Sequence, residues 1–322
     1  MAPVLILCAG LGTRLRPLTQ SIPKPLVPLA HRPILHHMLD HLCQLEPSRF
    51  FINTHHLPDR IEAAIPARHW GGRSIEVRHE PDLLDTGGTV SNFIDLLNPD
   101  EDLIVCNGDI VTNFDICSLW QAHKAHEADA TLLLMPDGPV KNVTITLDDG
   151  SAVGRIADLR GTTGASGRRC QFSGISVLSA RFLAKLPPRG HQFSLVDAWL
   201  QALYDGRPPH ALVDDSGASW ADLGDRRSLL DTHQAIAAGT FRLPGTSHAL
   251  PLIHPQAKIS AKADVDAESW IGPGAVVEGG ATIRRSVVFE YARIHSGATL
   301  EDCVAASNAQ IPPALHRQRI LA

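Results

Sequence analysis

The stretch "VLILCAGLGTRLRPLTQSIPKPLVPL" runs from Val4 to Leu29. Four aliphatic residues, Val4 to Leu7, predict a short buried strand. Directly after it come Gly10, Gly12, Thr13 and Arg14, and then a lysine between two prolines, Pro23-Lys24-Pro25. A glycine-rich turn after a strand lets backbone N–H groups approach phosphate oxygens, because no side chain intervenes. Arg14 adds a planar fork of donors. Lys24 is a point charge whose backbone the flanking prolines stiffen. The stretch reads as an anion cradle. A tight structural turn is the competing reading, because Leu15 stands where G-x-G-x-x-G needs its third glycine and no G-K-[ST] follows.

Outward from this loop, strand and helix patterns alternate. Apolar residues at helical spacing predict a helix over Pro33–Leu45, with proline suited to the first turn. Strands are expected at Arg49–Asn53, Ser74–Glu80, Asp102–Asp109 and Asp129–Met135, and helices at Pro58–Ile65 and Thr89–Leu97. Strands separated by helices of this length imply an α/β fold, a Rossmann-like and mostly parallel sheet with helices on both faces. Such sheets bind ligands beyond the carboxyl ends of their strands, where "CAGLGTR" and "NGD" (Asn107–Asp109) fall. The pattern loosens from about Gly138. A strand at Cys170–Leu178 and helices at Ser194–Gly206 and Arg226–Gly239 follow.

After a stretch without period, taken as a linker over 240–252, the sequence reads in sixes: IHPQAK, ISAKAD, VDAESW, IGPGAV, VEGGAT, IRRSVV. Ile253, Ile259, Val265, Ile271, Val277 and Ile283 open the hexads. The register slips through "FEYAR" and resumes at Ile294 and Leu300. This is the hexapeptide pattern of a parallel β-helix, with each aliphatic residue pointing into a narrow prism. Eight hexads amount to two to three coils. The expected division is therefore 1–239, 240–252 and 253–322.

Composition narrows the function. The chain has 322 residues, 44% hydrophobic and 20% charged, with a formal charge of −5. That suits a globular protein and leaves no basic footprint for nucleic acid or membrane. The six cysteines form no C-x-x-C pair and are read as reduced thiols. Cys8 and Cys106, at adjacent strand ends, are expected to pack. Nothing resembles a signal peptide or a membrane span, so a cytoplasmic protein is expected. His37 and His41 have i, i+4 metal-ligand spacing, but H-E-x-x-H and a third ligand are missing, so they are read as a solvated helix face.

The motifs together resemble the sugar-1-phosphate nucleotidyltransferases. "LCAGLGTRLRPLT…PKPLVPL" is similar to the family's signature, "EPDLLDTGGTV" (Glu80–Val90) to its base-binding segment and "CNGD" to its metal-binding strand end. "FSGISVL" (Phe172–Leu178) is similar to its sugar-pocket strand and "WADLGD" (Trp220–Asp225) to its late W-x-D-x-G motif. The family often carries a left-handed β-helix at its C-terminus. The resemblance implies transfer of a nucleoside monophosphate from a nucleoside triphosphate, UTP or GTP, to a sugar 1-phosphate. The sugar phosphate attacks the α-phosphorus in line and pyrophosphate leaves. It further implies that Gly10, Gly12 and Thr13 line the triphosphate, and that Arg14 stabilises the leaving pyrophosphate. Lys24 would contact the phosphate under attack, and Asp109 and Asp222 would hold one Mg²⁺. The base would meet backbone near Ala9, Gly87 and Gly88, beside Asp85. Ser173 and Gly174 would belong to the sugar-phosphate site. The family's usual E-K-P lysine is missing, and Arg160 is the nearest basic substitute by spacing, ahead of Arg155, Arg168 and Arg169. Uridylyl- and guanylyltransferases of the family are both resembled.

Other functions are weighed on the same residues. A regulatory or assembly subunit of a nucleotidyltransferase complex would be expected to lose Arg14, Lys24 or the aspartates, and all are present. Acyltransferase chemistry on the coils would need a longer helix than these hexads build, with His295 as its base. Homo-oligomers are expected to form through the coils, and ending the chain near Leu250 is expected to leave the phosphate site intact.

Overall fold

A computed structural model of the protein describes residues 1–65, 70–147, 153–246 and 250–322. Residues 247–249 of the expected linker lie outside the described residues. Two compact units emerge, and neither is a continuous piece of chain. One comprises 1–10, 39–108 and 114–218, the other 11–38, 109–113 and 219–322.

The first unit is built on a nine-stranded sheet. Its order is Ile75–His79, Phe50–Thr54, Val4–Leu7, Leu103–Asn107, Arg168–Leu178, Ala130–Met135, His210–Val213, Val153–Leu159 and Val143–Leu147. The first four run parallel, with Leu7 level with Asn53 and with Asn107. The strand Arg168–Leu178 then enters antiparallel to both neighbours. Seven of the nine strands run one way, as a mostly parallel sheet requires, and Arg168–Leu178 and Val153–Leu159 run against them. For the second of these, connection length is the cause: a parallel neighbour needs a crossover of a dozen or more residues, and only 148–152 lie between Val143–Leu147 and Val153–Leu159, which pair antiparallel. Those two late strands, Val143–Leu147 and Val153–Leu159, fall in the region whose pattern had looked irregular. The core joins Leu5, Val105, Leu132 and Leu134 of the sheet to Val90, Phe93, Leu195 and Trp199 of the helices Asp85–Phe93 and Leu195–Tyr204.

In the second unit the coils appear as three four-stranded parallel sheets. Ile259, Val277, Ile294 and Ile311 stack on one face, and Val265, Ile283, Leu300 and His316 on the next. Ile271, Val288, Ala305 and Leu321 stack on the third. The coils therefore run past the two to three expected. Ala305 and His316 occupy stacking positions where the aliphatic signal fades. The register slip is one short corner, five residues from Ile283 to Val288 instead of six.

The coils share one apolar core with the segment that follows the first strand. Leu15, Leu18, Val27 and Leu29 are buried together with Leu223, Leu229, Trp270, Ile271 and Val288. A hairpin couples the two. The strands Pro28–Leu29 and Arg32–Pro33 are joined by Ala30 and His31, both with left-handed backbone (φ 49° and 66°). Such a turn normally recruits Asn or Gly. Here tertiary bonds hold it. Ala30 N–H donates to His233 Nε2 at 3.1 Å, and His31 Nε2 lies 2.9 Å from Pro251 O. His233 Nδ1–H donates to Leu229 O at 2.8 Å, so the ring is neutral, and burial pushes its pKa down to about 4. Trp270 Nε1–H donates to His233 O at 2.9 Å, and His31 packs on the indole.

His37 and His41 are buried, correcting the reading of a solvated face. His37 Nε2 lies 3.0 Å from Leu29 O. Among the described residues no group of three His, Cys, Asp or Glu side chains could hold a metal. All six cysteines are free thiols, and burial pushes the Cys106 thiol up. No helix among the described residues is long and apolar enough to cross a membrane.

The shared core alters what a truncation would do. A chain ending near Leu250 loses Trp270, Ile271, Val288 and the other coil residues from the core that holds Leu15, Leu18 and Val27, so the loop itself should lose its fixed tertiary structure. Trp270→Ala should destabilise the protein by about 3–5 kcal/mol, as for other buried aromatic truncations. A denaturant midpoint equal to wild type, or a native near-ultraviolet spectrum for the truncated chain, would count against this account.

Candidate active site

The second unit assembles the charged groups. Gly12 has φ 60°, and its carbonyl accepts from Leu15 N–H at 3.0 Å and from Thr19 Oγ1–H at 2.8 Å. A Cβ there would lie 2.9 Å from Thr19 Cγ2 and 3.2 Å from Lys24 Cβ. Both the backbone and the close approach therefore demand glycine. Short helical turns at Thr13–Leu15 and Lys24–Leu26 follow, anchored by buried Leu15 and Leu26. Lys24 is directed inward, its side chain only 9% exposed.

Two distant carboxylates meet this lysine. The strand Ile110–Thr112 pairs antiparallel with Trp220–Asp222, with Ile110 opposite Asp222, and Leu223 N–H donates to Asp109 O at 2.9 Å. This pairing brings Asp109 and Asp222 to Lys24. The ammonium makes a close ion pair with Asp109 Oδ2 and lies 3.8 Å from Asp222 Oδ1. Asp222 Oδ1 is itself buried and has no hydrogen-bond partner among the described residues. Burial and then the Asp109 charge raise the Asp222 pKa, outweighing Lys24 and Arg14, which act to lower it. A carboxylate oxygen left bare beside a second carboxylate suits a hard divalent cation, whose other positions phosphates and water can fill.

Arg14 stands at the rim, 64% exposed, with Nη1 3.9 Å from Asp225 Oδ2. Asp225 also caps the helix Arg226–Ala237, accepting from Ser228 N–H at 2.9 Å in a capping box. Gly224 gives Arg14 room, since a Cβ there would come within 2.4 Å of its guanidinium. Thr13 opens the turn that carries Arg14.

The first unit holds the other expected residues. Cys8 and Ala9, just past the first strand, are buried, and Cys8 N–H donates to Asn53 Oδ1 at 2.6 Å. Space around Gly10 is open. Gly87 and Gly88 lie in the first turn of the helix Asp85–Phe93, which starts earlier than the expected Thr89. Their N–H groups both donate to Phe193 O, at 3.0 and 3.1 Å, and a Cβ on Gly87 would strike the Phe193 ring at 2.3 Å. Close packing accounts for both glycines.

A cavity of about 250 Å³ in this unit brings together Asp85, Arg160 and Gly174, three residues singled out in the sequence. Leu7, Asn107, Phe172, Ser176 and Trp199 also line it. Gly174 (φ 88°) sits where the strand pairing breaks register between Phe172 and Ser176, with its Cβ position 2.9 Å from Asn107 Nδ2. Ser173 is fully buried beneath, its Oγ accepting from Ile175 N–H at 3.2 Å. Two of the three rival arginines, Arg168 and Arg169, are engaged elsewhere. Arg168 is bidentate on Asp215, at 2.5 and 3.1 Å, and Arg169 donates to Lys141 O at 2.7 Å. Among the described residues the Arg160 guanidinium has a loose partner, Asp197 at 3.7 Å. Sequence reasoning did not single out Asn107, Ser176, Trp199, Gly224 or Asp225 individually. The last two lie within the quoted "WADLGD", but only their contacts give them a role.

The nucleotidyl transferase family model matches residues 3–158, and the model described as the GMPPB C-terminal domain matches 249–319. A mannose-1-phosphate guanylyltransferase of Mycobacterium tuberculosis is 28% identical over 302 residues, spanning 92% of this chain and 82% of that protein. A UTP–glucose-1-phosphate uridylyltransferase of Synechocystis is 26% identical over 341 residues, spanning 92% and 85%. These matches support a sugar-1-phosphate nucleotidyltransferase. The chain is a nucleotidyltransferase enzyme, and the regulatory-subunit reading is not favoured. The family fold is seen again in the crystal structure of HddC from Yersinia pseudotuberculosis. Its TM-score is 0.57 at 22% identity, over 72% of this chain and 97% of that one.

The raised pKa of Asp222 has a stability consequence. Its folded value lies above its unfolded value, so the unfolded chain binds fewer protons between the two, and stability falls as pH rises through that window. At neutral pH the charged carboxylate is a liability without a cation. Asp222→Asn should therefore melt higher than wild type at pH 7 in chelator, and the gain should vanish in acid below the ordinary carboxylate range. Melting curves at both pH values test this; an unchanged or lower melting temperature at pH 7 contradicts it.

Proposed function

We propose that the enzyme transfers GMP from GTP to mannose 1-phosphate, with UTP and glucose 1-phosphate as the second pair. The observation that carries the reading is the cluster of Lys24, Asp109 and Asp222 against the Gly12 turn with Arg14 at its rim. It combines anion and cation sites as phosphoryl chemistry requires. The C-terminal family match and the guanylyltransferase relative support GTP, and the uridylyltransferase relative keeps UTP as alternative.

An oxygen of the sugar phosphate forms the new bond to the α-phosphorus. The bond from that phosphorus to the bridging oxygen breaks, and pyrophosphate leaves with the electron pair. Gly10, Gly12 and Thr13 line the triphosphate and Arg14 takes charge on the leaving pyrophosphate. Lys24, freed from Asp109 by the phosphates, turns its ammonium to the group under attack. Asp109 and Asp222 would hold one Mg²⁺, which supplies charge neutralisation for the phosphates. Ala9, Asp85, Gly87 and Gly88 form the base site, and Arg160, Ser173 and Gly174 the sugar-phosphate site. Along the chain, 1–239 is assigned to transfer, 240–252 to a linker and 253–322 to a left-handed β-helix through which subunits associate in the cytoplasm.

A panel of nucleoside triphosphates and hexose 1-phosphates, read by pyrophosphate release, tests the reading. Turnover is expected with GTP or UTP and a divalent cation, and its absence across the panel overturns it. In the same assay Asp109→Asn and Asp222→Asn should each lower kcat by two decades or more. The double variant should be hardly worse than either, as for groups serving one function; losses that multiply would separate the two roles. Arg160→Ala should raise the KM for sugar 1-phosphate by about one to two decades, the worth of a charge-assisted contact, and leave the nucleotide KM in place. Equal effects on both substrates would remove Arg160 from the sugar-phosphate site.

A further inference from the structure

Two polar atoms, on side chains that line the 250 Å³ cavity, are not explained by packing. Trp199 and Ser176 are 2% and 1% exposed, and both line it. Trp199 Nε1 and Ser176 Oγ have no hydrogen-bond partner among the described residues. Buried polar groups are nearly always paired, so two orphans on residues that line the same cavity call for a ligand that completes them. An indole N–H can only donate, and a hydroxyl can donate or accept. Trp199 is held firmly. Its helix Leu195–Tyr204 is capped by Ser194, and the Phe172 ring meets the indole edge-on at 5.3 Å. Ser176 is held as well, paired with Val105 on one side and Leu132 on the other. The same cavity carries one cation, Arg160, one carboxylate, Asp85, and apolar Leu7, Val105 and Leu195. A small, polyhydroxylated, singly phosphorylated ligand fits that mixture, with acceptor oxygens for the indole and hydroxyl and a phosphate for the arginine.

We propose that Trp199 and Ser176 are specificity-determining residues that read ring hydroxyl oxygens of the acceptor sugar 1-phosphate. Trp199 donates to one oxygen, and Ser176 exchanges a hydrogen bond with another. The proposal rests on the transferase reading above. It makes the acceptor a hexose 1-phosphate with free ring hydroxyls, and it predicts that a sugar deoxygenated at either contact is a poor substrate.

Trp199→Phe removes the N–H and keeps an aromatic ring, and Ser176→Ala removes only the hydroxyl. Each should lower kcat/KM for the sugar 1-phosphate preferred by wild type about tenfold or more. The nucleotide KM should stay within about twofold; the melting temperature should hold or rise for Ser176→Ala, because an unpaired buried polar group is gone, and fall modestly for Trp199→Phe, whose smaller ring leaves a cavity in the core. Monodeoxy sugar 1-phosphates give the second reading. The analogue that lacks the hydroxyl read by Trp199 should be as poor with wild type as with Trp199→Phe. Lower melting temperatures with equal losses toward both substrates would mark a structural role and overturn the proposal, as would unchanged sugar kinetics in both variants. If wild type itself turns over no pair in the panel, the transferase reading falls first and this inference with it; if wild type is active and the variants match it, this inference alone falls.

Discussion

Everything chemical in the second unit depends on one short antiparallel pairing, Ile110–Thr112 against Trp220–Asp222. Three rungs hold two carboxylates at one ammonium, although the aspartates come from distant parts of the chain. Like charges at such range repel, and burial adds to the cost of charging Asp222. Lys24 offsets part of this through its ion pair with Asp109. The cluster is thus a strained charge arrangement that a cation and phosphates would relieve, as is common where binding energy must serve chemistry. Strands of this length do not stand alone in water. They persist because Val111 and Leu223 are buried in the unit's core.

That core explains why the coils matter beyond any role in association. The signature segment after the first strand has almost no regular structure of its own, only single helical turns and a two-residue hairpin. Its fixed shape comes from Leu15, Leu18, Val27 and Leu29 packing in the same core as Trp270, Ile271 and Val288. The left-handed turn at Ala30–His31 is an instance of the same dependence. Each residue costs about 1–2 kcal/mol in that conformation, and a neutral buried His233 supplies the acceptor that keeps Ala30 there. A repeat prism, stiff because every rung is hydrogen-bonded to the next, is well suited to hold an irregular loop still.

Much of this was legible before any coordinates. The strand Val4–Leu7, the glycine turn, the lysine between prolines and the hexads each leave a local mark, and each lies where expected. The marks failed where local pattern and global pairing part company. Val143–Leu147 alternates cleanly as VTITL but is only five residues long, and Val153–Leu159 carries Gly154, Arg155 and Asp158 at uneven spacing, so neither stood out from the stretch around it. The strand Arg168–Leu178 was recognised as a strand, but its direction shows only in its pairing, antiparallel to Leu103–Asn107 and to Ala130–Met135. Ala305 and His316 extend the coils with side chains too small or too polar to announce a prism.

The sequence by itself determined the chemistry that could be present. Residue types at fixed spacing carry their donors, charges and backbone freedom wherever the chain goes, so Gly12, Arg14, Lys24 and the two aspartates could be named from the order of letters. Only the tertiary structure decided which of these groups meet and which are already engaged. Asp109 and Asp222 share Lys24 through a pairing that no local propensity encodes, while Arg168 is taken up by Asp215 and the N–H groups of Gly87 and Gly88 by Phe193. Trp199 and Ser176 look like ordinary core letters, and become conspicuous only when burial leaves each without a partner. The physical reason is that a hydrogen bond or an ion pair belongs to two groups at once, and for groups far apart in the chain the second partner is supplied by the fold.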